Sequence, residues 1–92
     1  MTDLAALAAT LASERYTHTS LADGTGVILD IEGMHVLTLN KTGEFLIAAV
    51  LAGVGDEAEL VTRLTTEFDV ELPQARADLA EFIAELSELM KP

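Results

Sequence analysis

Apolar residues recur along this chain with two different periods, and the change from one to the other divides it. Leu4, Leu7 and Leu11 stand at helical spacing with alanines between them, which predicts a short amphipathic N-terminal helix. In Glu14-Arg15-Tyr16-Thr17-His18-Thr19, polar residues alternate with β-branched or aromatic ones, the period of a strand. Ala22-Asp23-Gly24-Thr25-Gly26 has the composition of a turn. Val27-Ile28-Leu29-Asp30-Ile31 and Met34-His35-Val36-Leu37-Thr38-Leu39 then read as two strands joined by a tight connection at Glu32-Gly33. Pleating puts His35, Leu37 and Leu39 on one face of the last strand and Met34, Val36 and Thr38 on the other.

Beyond Leu39 the period lengthens. Asn40 suits the N-cap of a helix with Glu44 in its first turn, an apolar face of Phe45, Leu46, Ala49 and Val50, and a stop at Gly53. A second helix opens at Asp56, with Glu59 three residues on in a capping-box arrangement, and is lined by Leu60, Val61, Leu64 and Phe68. Pro73 fits the first turn of a third helix, in which Leu72, Ala75, Leu79, Phe82, Ile83, Leu86, Leu89 and Met90 keep helical spacing. The expected fold class is α+β, with three helices packed on one face of a three-stranded antiparallel sheet and an extra helix at the N-terminal end. Residues 1–13 are expected to form a helical extension and residues 14–92 one domain.

Composition narrows the functions open to such a domain. At 92 residues, half of them apolar, the chain is long enough for one modest core. It has no cysteine, which excludes a disulfide framework, thiolate metal sites and thiol catalysis and fits a reducing compartment. The run from Leu4 to Ala12 lacks a basic start and is too short to span a bilayer, so a cytoplasmic location is expected. Five basic residues against sixteen acidic ones give a net charge of −11. Nucleic-acid binders draw most of their affinity from Lys and Arg on phosphates, so neither nucleic acid nor an anionic membrane is an expected partner.

A search for catalytic or metal chemistry finds little. His18 and His35 stand in no metal-ligand spacing, no serine lies in a nucleophile-elbow sequence, and the glycines form no phosphate-binding loop. Asp78, Glu81 and Glu85 share a helix face and read as a solvated acidic stripe rather than an acid–base pair. No enzyme, cofactor or metal is expected. The apolar stripe of the third helix reads first as core, although a helix so long against so small a sheet leaves part of it to wall a groove.

From Gly26 to Leu89 the chain resembles the PqqD-like family, also described as recognition elements for ribosomally made, post-translationally modified peptides. Leu39-Asn40-Lys41-Thr42-Gly43 looks like that family's junction between third strand and first helix, Glu67-Phe68-Asp69-Val70 like the end of its second helix, and Ala75, Asp78-Leu79, Phe82-Ile83 and Leu86 like the pattern of its third. Leu46-Ile47 stands where relatives often carry a large aromatic residue. The resemblance implies a winged-helix-like fold that binds no DNA and holds the leader segment of a precursor peptide as an added strand, between the third strand and the third helix. The implied peptide-binding residues are Met34, His35, Val36, Leu37, Thr38 and Leu39 on the strand, with Arg76, Leu79, Phe82 and Ile83 opposite. Arg76 would meet an acidic leader side chain.

Strand addition also follows from elementary chemistry, because a three-stranded sheet has edges with unpaired N–H and C=O groups. The leading expectation is therefore a non-catalytic peptide-binding protein working beside a modifying enzyme such as a radical SAM protein, a cyclodehydratase or a leader peptidase. The alternative is a structural or regulatory homodimer formed through residues 4–12 or by exchanged elements, without a peptide ligand.

Overall fold

A computed structural model describes residues 4–90; residues 1–3 and 91–92, the ends of the expected extension and of the expected domain, lie outside the described residues. The elements run α1 (Leu4–Leu11), β1 (Tyr16–Ser20), β2 (Gly26–Asp30), β3 (His35–Leu39), α2 (Lys41–Leu51), α3 (Glu57–Phe68) and α4 (Leu72–Leu89). The strands form an antiparallel meander in the order β1-β2-β3, so β1 and β3 are both edges. This is the α+β architecture expected, a three-stranded sheet followed by helices.

Pleating separates the two faces of the sheet. Tyr16, Ile28 and Leu39 are buried on the helix side, whereas Thr17, Thr19, Leu29, Val36 and Thr38 are exposed on the other. Leu46, Ile47 and Val50 of α2, Leu60 and Leu64 of α3, and Ala75, Leu79, Phe82 and Leu86 of α4 complete one core. Leu4 and Leu11 of α1 are buried in it as well. The stripe through which residues 4–12 would form a dimer is thus occupied within the chain itself.

Local chemistry sets the element ends. Asn40 caps α2, accepting from Gly43 N–H at 2.8 Å, and Gly53, with φ of 110°, ends that helix as expected. Asp56 caps α3 through Ala58 N–H at 2.9 Å, and Glu59 reaches along the helix to Arg63 at 3.4 Å. The sheet differs from expectation at the second turn. The predicted tight connection at Glu32-Gly33 is a turn of residues 31–34, and β3 begins at His35 rather than Met34. Asp30 causes this: its carboxylate accepts Gly33 N–H at 3.0 Å and leaves Met34 in the left-handed region, with φ of 57°.

Candidate functional site

Hydrogen bonding fixes which groups of β3 face its open side. Ile31 N–H bonds Arg15 C=O at 2.9 Å and Leu21 N–H bonds Thr25 C=O at 2.8 Å. In the β1–β2 register these two pairs are joined through Leu29↔Thr17 and Val27↔Thr19 at every second position. Bonded pairs alternate along an antiparallel ladder, so Val27 and Leu29 turn their main-chain groups to β1, and Gly26, Ile28 and Asp30 turn theirs to β3. Their partners in the second register are Leu39, Leu37 and His35. Val36 and Thr38 therefore direct both N–H and C=O away from the sheet, at its open edge.

A narrow cleft lies at the end of this edge. It is bounded by Leu39, Asn40, Thr42 and Gly43 at the β3–α2 junction and by Asp78, Glu81, Phe82 and Glu85 on α4. Of the α4 residues singled out in the sequence, Phe82 reaches this cleft and Ile83 is half-buried beside the core. Arg76 and Leu79 line a different and larger groove of about 440 Å³ between α3 and α4, with Glu57, Val61 and Leu72. On the outer face, Leu29, Ile31, Met34 and Val36 form an exposed apolar patch with His35 around the hairpin tip.

Two buried carboxylates brace the sheet behind the edge. Arg15 holds Asp30 with Nε–H to Oδ1 at 2.8 Å and Nη2–H to Oδ2 at 3.0 Å, while His35 Nδ1 stands 3.8 Å from Oδ2. Arg15's bonds above all, and then Gly33's, hold the Asp30 carboxyl well below the usual carboxylate range, and the hydrogen bond to Asp30 raises the Arg15 guanidinium above its ordinary value. Glu44, in the first turn of α2, accepts Ser20 Oγ–H at 2.6 Å and lies 2.7 Å from His18 Nε2, tying α2 to β1. Both partnerships join residues far apart in sequence, and the sequence reading missed them. It also missed the cleft-facing position of Asp78, Glu81 and Glu85, although their common helix face was legible.

The arrangement offers hydrogen-bonding edge groups beside a cleft. Among the described residues no group of three or more His, Asp or Glu could hold a metal, and no helix is long and apolar enough to cross a membrane.

Comparison with known proteins bears on the same region. Residues 25–89 match the protein family described as coenzyme PQQ synthesis protein D (PqqD). Among solved structures, the chain is similar to TbiB1 in complex with the TbiA(beta) leader peptide, with 21% identity, a TM-score of 0.71, and coverage of 83% of this chain and 86% of that one. It is also similar to a lasso peptide synthetase B1 complexed with the leader peptide, with 26% identity, a TM-score of 0.70, and coverage of 83% and 87%. No curated protein gives a significant match.

Proposed function

Since the chain belongs to the PqqD family, we propose that it binds the leader segment of a ribosomally made precursor peptide and presents it to a separate modifying enzyme. The peptide adds to β3 as a fourth strand, exchanging main-chain hydrogen bonds with Val36 and Thr38. The observation that carries this reading is the outward direction of those groups beside a cleft walled by α4. The two similar structures, each holding a leader peptide, support it. Residues 34–39 provide the strand side of the site, with Phe82 across the cleft and Ile83 beside the core behind it; Arg76 and Leu79 stand toward α3. The protein's part is non-catalytic, and the chemistry belongs to a partner such as a radical SAM protein, a cyclodehydratase or a leader peptidase.

Recovery of tagged protein from its native cells, followed by mass spectrometry of retained peptides, tests the reading. Wild-type protein is expected to hold the N-terminal segment of a short ribosomal peptide. Val36→Pro removes one outward N–H without touching a ladder bond and is expected to lose that peptide while remaining folded. Equal retention by a folded Val36→Pro protein would rule out pairing at β3.

A further inference from the structure

The cleft at the end of β3 has an unequal charge lining. Asp78, Glu81 and Glu85 flank Phe82 along one lip, at spacings that place all of them on one face of α4. Like charges so arranged oppose one another along a helix. Among the described residues no ion pair reaches them: Arg15 is held by Asp30, Arg63 lies beside Glu59, Arg76 lines the separate α3–α4 groove, and Asp78 accepts an amide N–H from Gln74 at 2.7 Å. The other lip, from Leu39 to Gly43, is uncharged except for Lys41, which is exposed and extends past Gly24 rather than lining the cleft.

A strand added to β3 carries alternate side chains toward the helix layer, and the residue opposite Leu39 points to the same side as Leu39. That side chain enters the cleft. Resting on the reading of β3 as the peptide-binding edge, we propose that the bound peptide places a lysine or arginine there, its stem along Phe82 and its head among Asp78, Glu81 and Glu85. The cleft is small, about 30 Å³, and open to solvent on one side, which suits an unbranched methylene stem better than a ring. The N-terminus of α2 opposes a cation with about half a charge. Its Gly43 and Glu44 N–H groups, however, are already taken by Asn40, and three full carboxylates stand across from it. An acidic side chain in this position meets like charge and is excluded. The specificity implied is for a basic, not an acidic, leader residue.

Selection from a display library of random peptides tests this, using the full 92-residue chain and an Asp78→Asn/Glu81→Gln/Glu85→Gln variant whose fold is verified by circular dichroism. Wild-type protein is expected to enrich Lys or Arg at one place in fixed register with alternating apolar residues. The neutralised variant is expected to keep the apolar alternation and lose the basic preference. A winning basic peptide should bind it about tenfold more weakly at low salt, with little difference at high salt. Glu81→Lys/Glu85→Lys is expected to shift the preference to Asp or Glu. Apolar winners without a basic preference, or an unchanged preference in the neutralised variant, would overturn the charged cleft and leave strand addition standing. If wild-type protein enriches no peptide, strand addition itself falls, and this inference with it.

Discussion

The Arg15 guanidinium grips the Asp30 carboxylate through two hydrogen bonds, at 2.8 and 3.0 Å, and so ties the approach to β1 to the turn from which β3 departs. A carboxyl held below its ordinary value contributes stability that is fully present above the unfolded-state pKa, about 3.9, and lost as pH falls through the folded value. The expected outcome is that Asp30→Asn lowers the urea midpoint at pH 7 and that its deficit shrinks progressively below about pH 4, where Asp30 of the unfolded chain takes up a proton while the folded carboxylate still keeps its charge. Protonating the many other carboxylates relieves repulsion in a chain of net charge −11, so the difference between the two proteins, rather than either curve alone, is the readout. A deficit unchanged down to pH 2 would show that the charge of Asp30 is irrelevant.

Gly26 is held to its identity by close approach. A Cβ there would collide with the Glu44 carboxylate and come within 3.2 Å of Thr19 C=O. Gly26→Ala is expected to cost on the order of 1–3 kcal/mol. In a Glu44→Ala background the same change should cost clearly less, because the obstructing group is gone. Equal costs in both backgrounds, by urea denaturation, would place the obstruction elsewhere.

Proline distinguishes the two sides of β3. At Leu37 it removes an N–H directed to β2 and is expected to destabilise by about 1–3 kcal/mol or more. At Val36, which is 63% exposed, it removes an N–H directed outward and is expected to change stability by less than about 1 kcal/mol. Thermal or urea unfolding of the two variants gives the comparison, and comparable losses would contradict the bonding alternation derived above.

Leu46 has no exposed surface and lies in the core where the sheet meets α2. Leu46→Ala is expected to cost about 2–5 kcal/mol. Leu72→Ala, at a residue 48% exposed beside the α3–α4 groove, should cost no more than about 0.5 kcal/mol. The pair measures how far burial alone ranks the leucines, and a reversal in their denaturation midpoints would discredit the ranking.

Element order was legible because each element carries its own period and punctuation: Asn40, Gly53 and Asp56 act where local chemistry alone would have them act. Met34 was misplaced in β3 because its left-handed geometry depends on a side chain, Asp30, across the turn. His18 with Glu44 and Arg15 with Asp30 could not be read, since nothing local pairs residues separated by 26 and 15 positions. The side of α4 on which Arg76 stands was partly legible. At about 100° per residue, the step from Arg76 to Phe82 leaves them roughly 120° apart, too far to share one wall. The acidic stripe shows the opposite limit: periodicity revealed a common face, but only the packing revealed that the face borders β3.

The alternation along β3 divides what a bound strand senses. If a peptide adds to β3, Val36 and Thr38 offer it main-chain atoms, which are the same for any residue but proline, so the edge would hold it without reading its sequence. Discrimination then falls to side chains on a separate element, α4, which the strand does not build. On that reading, retargeting the domain to another peptide would require repainting one exposed helix face, while the grip itself and the core beneath it stay as they are.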